Sequence, residues 1–281
     1  MIQYYSVNGK ITPVDEAVLK VNDLSILRGY GIFDYFLIKN GHPLFIKDYL
    51  NRFEQSAAKM QLPLPMPSNK ILAQIYQLIK LNNLQDASMR LVLTGGYSED
   101  AYTPSKRPNF LILVHPAPTV DPNTYNKGIK LITHEFQRSF PRVKTTNYLT
   151  GIMMLDTIKA AKAADLLFHR EGIISETTRA NFFIVNAQNQ ILTSKDSILR
   201  GVTRKQVLAL SKKYYDVVEG SLTLTGLSTA KEAFITSSTK GVMSVVLVDS
   251  IRIGDGEVGP IAKHLQQLFT AYQEAYLASK K

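Results

Sequence analysis

Two short segments contain the residue types that amine chemistry needs. The first is PRVKTTNYL, residues 141–149, and the second is ISETTRANFF, residues 174–183. Small residues around a lysine, just before a helix, can hold its side chain stiffly and partly desolvate it. Desolvation lowers the pKa of the amine and makes it competent to attack a carbonyl. Lys144 is therefore the candidate for forming a Schiff base.

A carboxylate and a phenol accompany this lysine. Glu176 could pair with the ring nitrogen of a pyridinium cofactor, and Tyr148 could donate to the ring oxygen. The simpler interpretations are a carboxylate at the end of a strand for Glu176 and a core aromatic at the start of a helix for Tyr148. Together with Lys144, the two residues favour pyridoxal phosphate chemistry.

Two turns that follow strand-like runs have the composition of phosphate-binding turns. They are ILRGVTRKQV, residues 198–207, and TSSTKG, residues 236–241. Gly201 permits close backbone approach, and Thr203 stands at a helix start, where free amides and the helix dipole favour an anion. Ser238 and Thr239 could act in the same way in the second turn. Thr203 is equally interpretable as a plain helix cap.

Strand and helix patterns alternate around these motifs and predict an α/β protein. Asn-Gly pairs at 8–9 and 40–41 predict hairpins, and MRLVLTGG, NFLILVHP, NFFIV, EAFITSS and VMSVVLV predict strands. Helices are predicted at about 47–60, 69–81, 149–164, 202–214 and 261–278. Three prolines interrupt the periodicity after His115, which predicts an N-terminal domain (1–115), a linker (116–127) and a C-terminal domain (128–281).

Composition narrows the function classes. The 281 residues carry a formal net charge of +10, but the lysines and arginines are scattered, which argues against a nucleic-acid groove. The chain has no cysteine, and its five histidines lack metal-ligand spacing, so we expect no metal site. No apolar run is long enough to span a bilayer, and we expect a cytoplasmic protein with neither a membrane nor a nucleic-acid partner.

Beyond these residues, nearly the whole chain resembles the class IV aminotransferases, the fold-type IV pyridoxal phosphate family. The resemblance begins at the NGK turn and runs through DLSILRGYGIFDYF, where Gly31, Phe33 and Asp34 match a glycine, aromatic and acid pattern. It continues through DYLNRFEQSA, VKTTNYL and ETTRANFF. Asp34 stands where glutamate is commoner in the family. The family contains branched-chain aminotransferases, D-amino acid aminotransferases and aminodeoxychorismate lyase.

The resemblance implies a role for each matched residue. Lys144 would bind pyridoxal 5'-phosphate and serve as the catalytic acid and base, and Glu176 would pair with the ring nitrogen. Tyr148 would donate to the ring oxygen. The residues implied around the phosphate are Arg52, Val202, Thr203, Ser238 and Thr239. Arg52 could instead form an exposed helical pair with Asp48. The implied architecture is a small N-terminal and a larger C-terminal α/β domain with the cofactor between them, in a homodimer.

Substrates are expected to be an amino acid, branched-chain or hydrophobic, and a 2-oxo acid such as 2-oxoglutarate. The proposed substrate contacts are Phe33, Tyr30, Arg90 and Tyr97, and core packing is the alternative for the aromatic ones. A substrate carboxylate could be bound by any of Arg90, Arg138, Arg142, Arg179, Lys106 and Lys240. Aminodeoxychorismate lyase is the second hypothesis and a D-amino acid aminotransferase the third. The alternatives of another class are a non-enzymatic pyridoxal phosphate carrier and a basic interaction protein that has kept the fold but lost the chemistry.

Overall fold

The computed structural model describes residues 2–280 and has mixed α/β architecture, as the sequence predicts. The chain divides into two compact units. Unit 1 comprises Met1–Pro118, Val143–Asn147 and Tyr276–Lys281, and unit 2 comprises Thr119–Arg142 and Tyr148–Ala275. This division differs from the predicted one in that two later segments belong to unit 1. Within residues 2–280, none of the helices combines the length and the apolar character needed to cross a membrane.

Unit 1 is built on one antiparallel sheet. Its strands are β1 (Tyr4–Val7), β2 (Lys10–Pro13), β3 (Gly31–Lys39), β4 (His42–Pro43), β5 (Ala87–Thr94) and β6 (Phe110–Pro116). Its helices are α1 (Leu24–Arg28), α2 (Ile46–Lys59) and α3 (Ser68–Leu81), with a 3-10 turn at Val14–Glu16. The strands lie in the order β2-β1-β6-β5-β3-β4.

The two predicted Asn-Gly hairpins are confirmed. Asn8 and Gly9 join β1 to β2, and Asn40 and Gly41 join β3 to β4; all four residues have positive φ angles between 50° and 85°. Asparagine and glycine adopt these angles at low cost, and such turns match the twist of the flanking strands. The turns therefore fix the register of both hairpins.

The sheet of unit 1 has a covered face and an open face. Ile32, Asp34 and Phe36 point to the covered face and are fully buried, where Phe36 meets Tyr49 of α2. The alternate residues of β3, beginning with Phe33, lie on the open face and are only half-buried. Strand alternation thus separates the core of unit 1 from the side chains that can meet a ligand.

The segment Val143–Asn147 attaches to the start of β3. The amide of Phe33 donates to the carbonyl of Lys144 at 2.9 Å, and the amide of Thr146 donates to the carbonyl of Gly31 at 3.0 Å. Ile32 and Thr145 form an antiparallel bridge. The lysine motif is therefore held by the backbone of unit 1, although it lies within the predicted C-terminal domain.

Unit 2 contains ten strands and five helices. The strands are β7 (Ile129–Glu135), β8 (Asp165–Arg170), β9 (Ile173–Thr177), β10 (Asn181–Val185), β11 (Ile191–Ser194), β12 (Val217–Gly220), β13 (Leu222–Thr223), β14 (Glu232–Ser237), β15 (Gly241–Val248) and β16 (Ile251–Arg252). The helices are α4 (Pro122–Lys127), α5 (Leu149–Met153), α6 (Leu155–Ala160), α7 (Val202–Ser211) and α8 (Pro260–Ala278), with a 3-10 helix at Thr225–Thr229.

These strands form one sheet in the order β12-β11-β10-β14-β15-β7-β8-β9-β13, with β16 beside β15. Asn181 at the start of β10 also pairs with Glu176 of β9, so two strands that are distant in the sheet order meet at this point. The core contains Phe182, Ile235 and Met243, all fully buried. The sheet thus brings the second motif, residues 174–183, into a single compact corner.

Most predicted elements are confirmed, with two differences. The helix predicted at 149–164 is two short helices, α5 and α6, because the chain turns at Met154. The predicted linker 116–127 contains α4, which Asp121 caps through the amide of Asn123 and which begins with Pro122. Proline suits the first position of a helix, where its missing N–H has no partner to lose.

Candidate active site

In unit 1, the amine of Lys144 lies against the open face of the sheet. Its Nζ atom is 4.5 Å from the ring centroid of Phe33. The lysine side chain is half-buried, and its backbone is fixed to β3 by the hydrogen bond from Phe33. The amine is therefore held beside an aromatic surface, with part of the side chain exposed to ligands.

The same ring contacts a second cation. The guanidinium carbon of Arg90 is 5.1 Å from the ring centroid of Phe33. Arg90 lies on β5 opposite Tyr35, two pairs along from Phe33 and Val92, so all four side chains share the open face. Phe33 thus joins the candidate nucleophile to a candidate carboxylate-binding arginine.

Asp34 and Arg52 form an ion pair in the covered half of unit 1. The Nε and Nη2 atoms of Arg52 donate to the two carboxylate oxygens of Asp34 at 2.9 and 2.6 Å, and Arg52 also stacks over Tyr49. Asp34 is fully buried and Arg52 nearly so. This pairing gives Asp34 a role as counter-ion, which the sequence did not provide. The phosphate role of Arg52 remains a prediction.

Tyr30 and Tyr97 lie near the start of β3 and the end of β5. The hydroxyl of Tyr30 donates to the carbonyl of Met60 at the end of α2, and burial raises its pKa. The ring of Tyr97 lies 5.5 Å from the Lys20 amine. Since the Tyr30 hydroxyl is bonded to the backbone, its ring is the part that could contact a substrate.

In unit 2, Glu176 is buried near the end of β9, with 5% of its surface exposed. Its Oε1 atom accepts from Nε and Nη2 of Arg138, and its Oε2 atom accepts from the amide of Leu199 at 2.9 Å and from Nδ2 of Asn181 at 3.3 Å. Arg138, one of the six cations that the sequence offers for a substrate carboxylate, donates to Glu176 instead. The carboxylate is both paired and oriented.

Asn181 connects Glu176 to the start of α7. Its Nδ2 atom also donates to the carbonyl of Leu199 at 2.8 Å, and a Cβ atom on Gly201 would lie 2.3 Å from its Oδ1 atom. Gly201 is therefore required by the close approach of Asn181. The sequence motif contains Asn181 but gave no sign of this role, since the contact joins residues 20 positions apart.

The first turn of α7 has the features of an anion site. Val202 and Thr203 are buried there, and among the described residues no side chain caps the helix, whose N-cap is Gly201. Uncapped amides and the positive end of the helix dipole favour an anion such as a phosphate. This arrangement supports the phosphate interpretation of Thr203 over a cap formed by its side chain.

The second predicted phosphate turn joins β14 to β15. Ser238 and Thr239 are half-buried there, and the amide of Lys240 donates to Oγ of Ser237 at 3.2 Å. Burial lowers the pKa of the Lys240 amine, and the nearby Asp165 partly offsets this effect. Tyr148 is half-buried at the N-cap of α5. The ligand contacts predicted for Tyr148, Ser238 and Thr239 remain predictions.

Arg90 is exposed, and so are the remaining candidate cations. Lys106 and Arg179 lie at the surface, and Arg142 is 48% exposed beside Asp196. Among residues 2–280, no group of three or more acidic, histidine or cysteine side chains is arranged to hold a metal ion. Of the predicted carboxylate-binding groups, Arg90 is the one whose contact with Phe33 places it beside the Lys144 amine.

The donor set fits pyridoxal phosphate. A half-buried amine suits its aldehyde, a paired and buried carboxylate suits its ring nitrogen, and an uncapped helix start behind a required glycine suits its phosphate. In unit 2, the carboxylate of Glu176 and the start of α7 are joined through Asn181 and Leu199. The chemistry of the ring-nitrogen and phosphate contacts is therefore present in one rigid group of residues.

Comparison with known proteins agrees with this chemistry. The model of the amino-transferase class IV family matches residues 31–248. A putative branched-chain-amino-acid aminotransferase of Methanocaldococcus jannaschii is 31% identical over 93% of both chains, and a D-alanine aminotransferase of Bacillus licheniformis is 27% identical over 96% of both. The crystal structure of the Escherichia coli branched-chain amino acid aminotransferase has this fold, with a TM-score of 0.89 and 22% identity over 96% of this chain and 94% of that one. The chain belongs to the class IV aminotransferases and is a pyridoxal phosphate-dependent enzyme.

Proposed function

We propose that this aminotransferase moves an amino group between a hydrophobic, branched-chain type amino acid and a dicarboxylic 2-oxo acid such as 2-oxoglutarate. One observation carries the proposal: the ring of Phe33 contacts both the Lys144 amine and the Arg90 guanidinium. The ring and the apolar residues beside it suit a hydrophobic side chain, whereas Arg90 suits the distal carboxylate of the acceptor.

Lys144 is the proposed catalytic residue. The cofactor supplies an electron sink for the pair left at the substrate Cα atom when its proton is removed. The Nζ atom of Lys144 would hold the cofactor through its aldehyde in the resting enzyme. Once the substrate amine has displaced it, the free Lys144 amine would take the proton from the substrate Cα atom, and in the second half of the exchange it would deliver a proton to the Cα atom of the product amino acid. Its backbone hydrogen bond to β3 holds the amine in place for both roles.

The other site residues bind the cofactor and orient its ring. Glu176 accepts the ring N–H, and its buried, ionised state keeps that nitrogen protonated. The amides at the start of α7, at Val202 and Thr203, bind the phosphate together with the Ser238–Thr239 turn and Arg52. Tyr148 donates to the ring oxygen. None of these groups needs to gain or lose a proton during transfer.

A second substrate class has its own support. The Bacillus licheniformis relative is a D-alanine aminotransferase, and its likeness extends over nearly the whole chain. Chirality depends on which face of the substrate Cα atom meets the Lys144 amine. The D-amino acid reaction is therefore the alternative to the branched-chain reaction.

A half-reaction screen tests both the branched-chain reaction and the D-amino acid reaction. The enzyme loaded with pyridoxal phosphate is mixed with single L- and D-amino acids, and conversion to the aminated cofactor is followed by absorbance. We expect L-leucine, L-isoleucine or L-valine to convert it, and conversion by D-alanine alone would replace the branched-chain proposal. Release of pyruvate from aminodeoxychorismate without any 2-oxo acid would instead identify the lyase of this family.

We further propose a homodimer. Four large apolar residues of α5 and α6 are more than half exposed, namely Leu149, Ile152, Met153 and Leu155. A contiguous apolar surface of this kind is typical of an interaction site, and a second copy of the chain is the partner that the family resemblance implies.

The amino and 2-oxo acids exchanged are cytoplasmic metabolites, which supports a cytoplasmic enzyme; cell fractionation tests this location.

A further inference from the structure

The ion pair between Arg138 and Glu176 has no part in the roles described so far. The two side chains are 19% and 6% exposed, so the pair lies almost wholly out of water. A carboxylate buried to this degree stays ionised only with a compensating charge or several hydrogen bonds. Arg138 supplies the charge, and both donating nitrogens, Nε and Nη2, reach the single oxygen Oε1.

The second oxygen of Glu176 is held from the opposite side. Oε2 accepts from the amide of Leu199 and from Asn181, both close to the start of α7. Because each oxygen has its own donors, the carboxylate cannot rotate without breaking hydrogen bonds on both sides. The direction in which Glu176 presents its remaining lone pairs is therefore fixed by its neighbours.

Arg138 is itself anchored. Its Nη2 atom also donates to the carbonyl of Pro141, in the segment that leads to the lysine motif. A planar guanidinium that donates to two partners keeps its position, whereas a lysine in its place would offer one flexible ammonium. The geometry therefore suits a supporting role better than the transient binding of a substrate carboxylate.

We propose that Arg138 is a positioning residue for the cofactor ring: it keeps Glu176 ionised and aimed, and so sets how strongly Glu176 binds the ring nitrogen. The proposal rests on the proposed role of Glu176. It assigns to Arg138 a function in cofactor affinity, not in substrate recognition.

A double-mutant cycle tests this function through cofactor binding alone. The dissociation constant of pyridoxal phosphate is measured by fluorescence titration of the apoprotein for the wild type, Arg138→Met, Glu176→Gln and the double variant. Groups that support a ligand-binding residue typically change affinity by about 10- to 100-fold, and we expect Arg138→Met to weaken binding in this range. In the Glu176→Gln background the same substitution should change affinity by less than about threefold.

The cycle distinguishes an effect of Arg138 on the position of Glu176 from a general stabilisation of the loop that contains Arg138. The bond from Arg138 to Pro141 is lost in both backgrounds, so its effect cancels. Arg138→Lys keeps the charge and should recover part of the affinity that Arg138→Met loses. If Arg138→Met does not fold, Arg138→Lys takes its place in the cycle. Arg170→Met is the matched control, because Arg170 belongs to an exposed pair with Glu171, and it should leave the dissociation constant unchanged.

Two results would overturn the proposal. One is an equal loss of affinity from Arg138→Met with and without the Glu176 carboxylate, which would make Arg138 a structural residue of its loop. The other is an unchanged dissociation constant of pyridoxal phosphate combined with a higher KM for amino acids, which would indicate that Arg138 binds the substrate. Failure of the proposed substrates in the half-reaction screen leaves this binding cycle unaffected, so the two failures are distinguishable.

Discussion

At the scale of single residues, the role of Lys144 is the most direct to test. Lys144→Ala removes the amine that is proposed to bind the cofactor aldehyde and to move the proton. We expect turnover to fall by at least about 10⁴-fold, because both nucleophilic and acid-base contributions are lost. The absorbance band that borohydride bleaches in the wild type should also be lost. Lys70→Ala, on the exposed side of α3, is the control and should keep both properties. Residual transamination above this limit would exclude Lys144 as the catalytic group.

Arg90 should separate the two substrates of the proposed reaction. Arg90→Met removes the guanidinium beside Phe33 but keeps an apolar side chain of similar length. We expect the KM for 2-oxoglutarate to rise about 10- to 100-fold, the cost of losing a hydrogen bond to a charged group. The half-reaction with an apolar amino acid should change little.

The measurement is steady-state kinetics with 2-oxoglutarate and with pyruvate as acceptors. Pyruvate lacks the distal carboxylate, so its KM should be insensitive to Arg90→Met. Arg107→Met, at an exposed position, controls for the loss of one positive charge from a chain with a net charge of +10. An equal rise in KM for both acceptors would place Arg90 at the α-carboxylate instead.

The buried pair of Asp34 and Arg52 predicts an effect on stability. Asp34→Asn removes the negative charge of the carboxylate that accepts both hydrogen bonds from the nearly buried guanidinium of Arg52. Removing one partner of a buried pair costs about 3–5 kcal/mol, and we expect the free energy of unfolding in urea to fall by this amount. Glu171→Gln, which breaks the exposed pair with Arg170, should cost less than about 1 kcal/mol. A similarly small loss for Asp34→Asn would show that Arg52 finds another partner.

At the scale of elements, the start of α7 depends on a single glycine. A Cβ atom at Gly201 would meet Oδ1 of Asn181 at 2.3 Å, so Gly201→Ala must displace Asn181 or the first turn of the helix. Either shift disturbs the donors around Glu176 and the amides that are proposed to bind the phosphate, and we expect pyridoxal phosphate to bind about 10-fold more weakly. Gly220→Ala, whose Cβ would lie 3.8 Å from Val218, is the control. Equal affinities of Gly201→Ala and Gly220→Ala for pyridoxal phosphate would show that the start of α7 does not bind the cofactor.

Local signals predicted most of these elements. The Asn-Gly turns and the amphipathic periods of α2, α3 and α8 each depend on neighbouring residues, and their positions were readable from the sequence. Contacts between distant residues were not. The attachment of Lys144 to β3, the pairing of Asp34 with Arg52 and the pairing of Arg138 with Glu176 all depend on tertiary packing. Such contacts leave no periodic pattern in the sequence, so the sequence predicted candidate reactive residues but not the residues that orient them.

At the scale of the whole molecule, the charge and the exposed apolar surface act differently. The net charge of +10 attracts anions at long range, and the proposed 2-oxo acid and the cofactor phosphate are anions, whereas a branched-chain amino acid is a zwitterion without net charge. The apolar residues of α5 and α6 act only on contact. Charge therefore bears on the rate at which the 2-oxo acid and the cofactor are captured, whereas the exposed helices bear on the proposed assembly.

The assembly prediction follows from the exposure of α5 and α6. Ile152 and Met153 are 62% and 72% exposed, and an acidic residue at either position would have to be desolvated in a dimer interface. We expect the wild type to sediment as a dimer and Ile152→Glu to sediment as a monomer at micromolar concentration. Leu81→Glu is the matched control, because Leu81 is a partly exposed apolar residue at the end of α3, and this variant should remain dimeric. A dimeric Ile152→Glu variant would place the interface elsewhere, whereas a monomeric wild type with full activity would mean that one chain suffices for the reaction.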